Sequence, residues 1–130
     1  MILLDTQSVI WLLSQPQKLS KLAIAAILEA RTNEESLACS PISIYEIIYS
    51  CFKKRLILHC THEEFIAEML SKIDLVPLTT QIARCAAELP EPFHNDPMDR
   101  MITATAIVEN CTLITSDEKI RKAGVCRVIW

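Results

Sequence analysis

The sequence predicts an α/β fold in which short parallel strands alternate with helices. The chain has 130 residues, of which 51% are apolar and one is glycine, a composition typical of a compact, helix-rich protein. Short apolar runs such as Ile2–Leu4 indicate strands that are buried on both faces. Segments with the helical spacing of apolar residues lie between these runs. This alternation favours a mostly parallel sheet of about five short strands flanked by helices. At this length we expect a single domain, residues 1–130.

Two strands and three helices are predicted in the first part of the chain. The strands are Ile2–Leu4 and Leu37–Cys39. The helices are predicted at residues 7–14, 20–31 and 42–55. Thr6 is predicted to cap the first helix, and Pro41 fits the first turn of the third, where no backbone donor is needed.

The third helix has an informative pattern of side chains. At 100° per residue, one face is apolar and is expected to be buried; it holds Ile42, Tyr45, Ile48, Tyr49 and Phe52. The apolar surface extends most of the way round the helix through Ile44, Ile47 and Cys51, and Ser43 lies on the remaining polar strip. Glu46 falls on the remaining polar strip, as the one acid of a largely apolar helix. It either pairs with Ser50 or Lys53 at the surface, or projects into a polar cleft.

The second part of the chain continues the same alternation. Thr61 and Glu64 form a capping box at the start of a helix that runs to about residue 72. Residues 75–78 suggest an edge strand, because Pro77 cannot donate to a ladder. Further helices are predicted at 80–89, 96–109 and 117–122, and strands at 112–115 and 125–129.

Charge, composition and the N-terminus exclude several classes of function. The net charge of −3 gives no overall basic field for a polyanion, and 5% aromatic residues are too few for a base-stacking platform. The six cysteines are widely spaced, without a C-x-x-C pair, which favours small buried residues over disulfides or a zinc site. A basic leader and a run of about 20 apolar residues are both missing, so we expect a cytoplasmic protein without a membrane segment.

Several acids lie where a parallel sheet would bring them together. Asp5 ends the first strand, Asp117 follows a later one, and Asp99 lies in the first turn of a helix that leads into a strand. Functional crevices of such sheets lie outside the carboxyl ends of the strands. If Glu46 also faces this crevice, four carboxylates converge, and Mg²⁺ (or Mn²⁺) would supply the missing positive charge. Each acid taken singly is more often a helix cap or a solvated side chain.

The sequence resembles the PIN-domain family, specifically the small VapC-type toxin ribonucleases of type II toxin–antitoxin modules. Four stretches carry the resemblance, in the same order and at similar spacing across the chain. They are Leu3-Leu4-Asp5-Thr6 with Trp11-Leu12-Leu13, Ser40-Pro41-Ile42-Ser43-Ile44-Tyr45-Glu46-Ile47, His94-Asn95-Asp96-Pro97-Met98-Asp99-Arg100-Met101-Ile102 and Leu113-Ile114-Thr115-Ser116-Asp117. One departure is Gln7, where the family often has Asn or His.

The resemblance implies a PIN-like α/β/α sandwich and a Mg²⁺- or Mn²⁺-dependent endoribonuclease that hydrolyses RNA with metal-activated water. The family's acidic quartet corresponds to Asp5, Glu46, Asp99 and Asp117, of which the three aspartates would be metal ligands. Asp96 is a nearby secondary acid. The positions expected to contact substrate are Thr6, Arg100 and Ser116, although a salt bridge is an equal alternative for Arg100. A cognate small antitoxin and a homodimer are the expected partners.

Two other functions remain open at this point. The acidic cleft is also compatible with a non-catalytic module that binds a basic partner. A PIN nuclease with a role in RNA processing, outside any toxin module, would show the same acids. A phosphatase of the haloacid dehalogenase type is disfavoured, because it needs a second aspartate two residues after Asp5, where Gln7 stands.

Overall fold

The structure is a computed structural model that describes residues 1–91, 93 and 95–130. Its sheet has five strands, all parallel, in the order β3-β2-β1-β4-β5. The strands are β1 (Ile2–Leu4), β2 (Leu37–Cys39), β3 (Asp74–Leu75), β4 (Thr112–Ile114) and β5 (Val128–Ile129). The helices are α1 (Thr6–Ser14), α2 (Lys21–Thr32), α3 (Pro41–Phe52), α4 (His62–Leu70), α5 (Thr80–Ala87), α6 (Pro97–Val108) and α7 (Glu118–Ala123). A short 3₁₀ turn, Pro16–Lys18, joins α1 to α2.

The strand order places a topological switch point between β1 and β4. From β1 the chain moves outward through β2 to β3, and it then returns to the other side of β1 with β4 and β5. Leu4 is in register with Ile114 across this junction. Connections leave the two neighbouring strands in opposite directions here, which opens a crevice at their carboxyl ends. Asp5 and Thr115 are the first residues beyond these two ends.

The sheet separates two hydrophobic cores. Alternate residues of a strand point to opposite faces, so Ile2 and Leu4 join one core while Leu3 joins the other. The first core packs under α1, α2 and α4, where Val9, Ile27, Phe65 and Met69 are buried. The second packs under α5, α6 and α7, where the buried side chains include Ile82, Ile102, Ala106 and Ile120. The result is the expected α/β/α sandwich.

Local signals in the sequence set several helix ends, among them the predicted capping box at the start of α4. The capping box is present, with Thr61 Oγ1 accepting from Glu64 N–H and the Glu64 side chain accepting from Thr61 N–H. Gly124 ends α7 with a φ of 63°, in the left-handed region that glycine tolerates. Asp96 caps α6 by accepting from Met98 N–H at 2.9 Å, and Pro97 takes the first helical position.

The prediction of which face of α3 is buried was wrong. Tyr45, Tyr49 and Phe52 are exposed, with 53%, 43% and 75% of their surface accessible. The inward side carries Ile47, from the extension of the apolar surface, and Ser43, which was predicted on the polar strip; both are completely buried. Helical spacing shows which residues share a face, but it does not show which face packs when both contain large apolar side chains.

The predicted cap of α1 and several boundaries also differ. Asp5, not Thr6, caps α1, and Thr6 is the first helical residue. Helix α3 ends at Phe52 because Lys54 adopts a φ of 55°, which stops the helix. The edge strand β3 lies at Asp74–Leu75, slightly before the predicted segment. In the described part of the chain, no helix is both long and apolar enough to span a bilayer.

Candidate metal centre

Four helix N-termini meet the carboxyl edge of the sheet. Helices α1, α3 and α7 follow β1, β2 and β4, so each begins where its strand ends. Helix α6 leads into the start of β4, so α6 begins at the same edge as the other three. Helix α3 packs against both α1 and α6. The predicted acids lie on or beside these helix starts, where the helix dipole favours negative charge.

Asp5 is the most buried of these acids. Its Oδ1 accepts from the backbone N–H of Ser8 at 2.6 Å, which caps α1. Only 8% of the surface of Asp5 is exposed to solvent. Burial raises the pKa of Asp5, hydrogen bonds from Thr115 and Ser8 act in the opposite direction, and the charge of Asp117 raises it further. The hydrogen bond from Ser8 therefore fixes the carboxylate in place, while burial makes its ionised form less favourable.

Thr115 connects Asp5 to Asp117. Its side chain is completely buried and lies close enough to the carboxylate of Asp5 to lower its pKa. Its Oγ1 also accepts from the backbone N–H of Asp117 at 3.1 Å. Asp117 in turn caps α7, with Oδ1 accepting from Ile120 N–H at 2.9 Å. Two of the predicted acids are thus linked through one buried hydroxyl.

Glu46 faces the cleft, and it does not pair with Ser50 or Lys53. Its Oε1 accepts from the hydroxyl of Thr6 at 2.5 Å, in a partly buried environment. Burial raises the pKa of Glu46, the Thr6 hydrogen bond lowers it, and the charges of Asp96 and Asp5 raise it. Glu46 therefore lies within electrostatic reach of two acids from other helices.

The pKa of Asp99 is affected by all the other acids of this group. It lies in the first turn of α6 and is partly buried. Burial is the largest cause that raises the pKa of Asp99 from 3.8 to about 7, and the charges of Asp96, Asp117, Glu46 and Asp5 add to it. Two carboxylates about 5 Å apart repel by about 3 kcal/mol at an effective dielectric near 20. The structure thus brings all four predicted catalytic acids, together with the cap Asp96, into one electrostatic group.

The donor set of this group fits a hard divalent cation. Asp5, Asp99 and Asp117 offer carboxylate oxygens, the ligands that Mg²⁺ and Mn²⁺ prefer. Within residues 1–91, 93 and 95–130, no three His, Cys, Asp or Glu side chains are close enough together to coordinate one ion as they stand. Asp5 and Asp117 each use Oδ1 to cap a helix. Coordination of one ion therefore requires inward movement of these side chains, which mutual repulsion opposes until a cation is present.

Arg100 donates hydrogen bonds to carbonyl groups at the end of α5. Its Nε donates to the carbonyl of Ala86 at 3.0 Å, and one terminal nitrogen lies within 3.4 Å of the carbonyl oxygens of Ala87 and Leu89. The guanidinium also lies 5.7 Å from the ring centre of Phe93. These contacts satisfy the carbonyl groups at the C-terminus of α5, and they tie that end to the start of α6 next to Asp99.

Two residues of the site were missed by the analysis of the sequence. Thr115 and Ser43 are both completely buried and both contact a residue of the acidic group or its neighbour Thr6. Thr115 was detectable, because it follows β4 as Asp5 follows β1, and neighbouring parallel strands end side by side. Ser116, the neighbour predicted to contact substrate, is partly exposed. His94, which the sequence places beside the acids, lies outside the described residues.

Comparisons with known proteins agree with this architecture. The family model for the PIN domain matches residues 2–125. The chain is 32% identical over 120 residues to Ribonuclease VapC22 of Mycobacterium tuberculosis, covering 92% of this chain and 89% of that protein.

Solved structures show the same fold. VapBC2 from Rickettsia felis, bound to a DNA fragment from its promoter, matches with a TM-score of 0.76 and 18% identity, covering 99% of this chain and 98% of that chain. A toxin–antitoxin complex from Klebsiella pneumoniae matches with a TM-score of 0.68 and 23% identity, covering 100% and 97%.

Proposed function

The chain belongs to the PIN-domain family, and we propose that it is a divalent-metal-dependent endoribonuclease, the toxin of a type II toxin–antitoxin module. The observation that carries this proposal is the group of four acids, Asp5, Glu46, Asp99 and Asp117, at the switch point of the sheet. Burial, followed by the charges of Asp96, Asp117, Glu46 and Asp5, raises the pKa of Asp99 to about 7, so a divalent cation would favour the ionised form of the group. The similarity to Ribonuclease VapC22 supports RNA as the substrate.

In this proposal Asp5, Asp99 and Asp117 hold Mg²⁺ or Mn²⁺. When bound, the cation would activate water and stabilise the charge that develops on the scissile phosphate. Asp5 and Asp117 each cap a helix start at this edge of the sheet, and the inward movement of their side chains would bring their carboxylates onto the cation. Glu46, held by Thr6, would orient the attacking water and accept its proton.

We propose that Asp96, Thr6, Ser116 and Arg100 support the reaction in different ways. Asp96 holds the start of α6, and with it Asp99, through its hydrogen bonds to Met98 N–H and Asp99 N–H. Thr6 supports Glu46 by donating a hydrogen bond to its carboxylate. Ser116 is a candidate contact for RNA. The contacts of Arg100 favour a structural role over contact with phosphate.

The proposed partners are a small antitoxin, RNA and a second copy of the chain. The support for an antitoxin is the similarity of the fold to VapBC2 and to the toxin–antitoxin complex from Klebsiella pneumoniae. Co-expression with any small reading frame that adjoins its gene, followed by purification through one tagged partner, tests this association. Light scattering of the purified chain tests the homodimer.

Two alternatives make different predictions. A non-catalytic module that binds a basic partner is favoured by the spacing of the acids, since no three of the described side chains are poised to coordinate an ion. Such a module would bind a basic peptide without Mn²⁺-dependent turnover of RNA. A PIN nuclease outside a toxin module would cleave RNA but would not arrest growth when it is expressed.

The experiment that tests the proposed activity is an RNA cleavage assay with the purified chain. We expect cleavage in millimolar Mg²⁺ or Mn²⁺, its loss on addition of EDTA, and its recovery when excess Mn²⁺ is restored. Asp99→Asn should abolish cleavage, whereas Glu29→Gln, an exposed acid on α2, should cleave as the wild type does. Equal cleavage by Asp99→Asn and the wild type would contradict the assignment of the site.

A further inference from the structure

Three side chains from two helices form a continuous polar chain that ends on Glu46. Ser43 lies in the first turn of α3, and its side chain is completely buried. Its Oγ lies 3.0 Å from Oγ1 of Thr6. Thr6 Oγ1 in turn lies 2.5 Å from Oε1 of Glu46, one turn further along α3 from Ser43. This series of three hydrogen-bonded side chains therefore runs from the interior, next to the core, to the acidic cleft.

The chemistry of the three groups sets the direction of the hydrogen bonds. The hydroxyl of Thr6 has one proton and two neighbouring oxygens, Ser43 Oγ and the Glu46 carboxylate. The carboxylate is the stronger acceptor and the closer one, so the Thr6 proton goes to Glu46. The 3.0 Å contact between the two hydroxyl oxygens then needs the proton of Ser43. Ser43 donates to Thr6, and Thr6 donates to Glu46.

We propose that Ser43 is a positioning residue for the nuclease reaction, which acts through Thr6 to hold the carboxylate of Glu46 toward the acidic cleft. Ser43 is too deeply buried to touch RNA or a metal ion, so any effect must pass through Thr6. A hydroxyl that accepts a hydrogen bond is a better donor, which strengthens the bond from Thr6 to Glu46. This inference rests on the proposed function, because it assigns a role to Ser43 in that same site.

The arrangement also couples two helices that carry different acids. Thr6 directly follows Asp5 at the start of α1, while Ser43 and Glu46 belong to α3. The hydrogen bonds among these three side chains therefore hold the start of α1 against the buried side of α3. Loss of the Ser43 hydroxyl leaves Thr6 bonded to Glu46 but free of its inner anchor, so both side chains gain rotational freedom.

The test compares Mn²⁺ affinity and single-turnover cleavage for the wild type and Ser43→Ala. We expect Mn²⁺ affinity measured by calorimetry, and the rate at saturating RNA, each to fall by roughly 10-fold. The affinity should fall because the carboxylate of Glu46, although not assigned as a ligand, belongs to the same group of charges that attracts the cation. The KM for RNA should not change, because Ser43 does not reach the substrate. Ser43→Thr, which keeps a hydroxyl, should restore most of the affinity.

Two further variants separate positioning from a general loss of stability. Thr105→Val removes another completely buried hydroxyl, which donates to the carbonyl of Met101 within α6. It should cost stability without weakening Mn²⁺ binding. In a Glu46→Gln background, Ser43→Ala should cause no additional loss of Mn²⁺ affinity, because the group through which it acts is already altered. If Ser43→Ala fails to fold, Thr6→Val breaks the same chain at its middle and should weaken Mn²⁺ binding at least as much.

The outcomes distinguish this inference from the proposed function. Wild-type protein that binds Mn²⁺ and cleaves RNA, with Ser43→Ala or Thr6→Val equal to it in both, would overturn the role of Ser43 and leave the nuclease standing. An equal effect of Ser43→Ala with and without Glu46→Gln would also overturn it. Wild-type protein that neither binds Mn²⁺ nor cleaves RNA would overturn both proposals.

Discussion

The backbone N–H of Asp117 donates to the hydroxyl oxygen of Thr115 at 3.1 Å, and the same hydroxyl lies close enough to the carboxylate of Asp5 to lower its pKa. One buried side chain at the end of β4 thus fixes the acid that follows β1 and the acid that begins α7. The two acids come from positions more than 100 residues apart in the chain. Their distance from each other is set by the sheet, and Thr115 holds their orientation.

Thr115→Val should weaken both the fold and the metal site. The substitution keeps the shape of the side chain but leaves the N–H of Asp117 without its acceptor, which costs about 1–3 kcal/mol of unfolding free energy. Mn²⁺ affinity should fall as well, because Asp5 loses the neighbouring hydroxyl that favours its ionised form. Urea denaturation and calorimetry measure the two effects.

Thr103→Val is the matched control for this substitution. Thr103 is also completely buried, but its Oγ1 has no hydrogen-bond partner within the described residues. Removal of an unsatisfied buried hydroxyl should be neutral or stabilising. A loss of stability in Thr103→Val as large as that in Thr115→Val would contradict the role assigned to Thr115.

The metal-free protein should lose stability as the pH rises from about 4 to about 7. The pKa of Asp99 is raised from 3.8 to about 7 in the folded state by burial and by the neighbouring acids. In this range the folded state therefore binds a proton that the unfolded state has released, so the unfolding free energy falls with increasing pH. Asp5 and Glu46, whose pKa values are also raised, act in the same direction.

Asp99→Asn tests this origin of the pH dependence. Urea denaturation in EDTA at a series of pH values should show a smaller slope for the variant, which should also be more stable than the wild type at pH 8. Glu29→Gln, an exposed position on α2, should follow the wild-type curve. An unchanged slope in Asp99→Asn would show that Asp99 ionises normally and does not share a site with the other acids.

Arg100→Gln should destabilise the fold more than it weakens RNA binding. The guanidinium donates to carbonyl groups of Ala86, Ala87 and Leu89, so its loss leaves them unsatisfied at a cost of about 1–3 kcal/mol. The dependence of RNA affinity on salt should not change. A fall of about one in the slope of log affinity against log salt would instead identify a contact with phosphate.

Charge reversal of Lys53 and Lys54 should weaken RNA binding and flatten its dependence on salt. These exposed lysines follow α3, roughly 18 Å from its start, within reach of an RNA that spans several nucleotides. Unchanged binding of the Lys53→Glu/Lys54→Glu variant at low and high salt would remove these lysines from the RNA surface.

The positions of the strands, and with them the carboxyl edge that carries Asp5 and Asp117, could be predicted from the sequence. Short apolar runs followed by acids define those strand ends locally. The partner of Glu46 could not be predicted in this way, because Thr6 lies 40 residues earlier and meets Glu46 only when α1 packs against α3. For the same reason, spacing within α3 placed Tyr45 inside and left Ser43 without a role, whereas the packed structure exposes the first and buries the second.

The most direct test of the account is a thermal melt of the purified chain with and without millimolar Mn²⁺, for the wild type and Asp99→Asn. If Asp5, Asp99 and Asp117 converge on a cation, Mn²⁺ should raise the melting temperature of the wild type, and the shift should disappear in Asp99→Asn. An equal shift in both proteins would place the metal elsewhere. The absence of a shift in the wild type would contradict a metal centre at this edge of the sheet and favour the non-catalytic binding module.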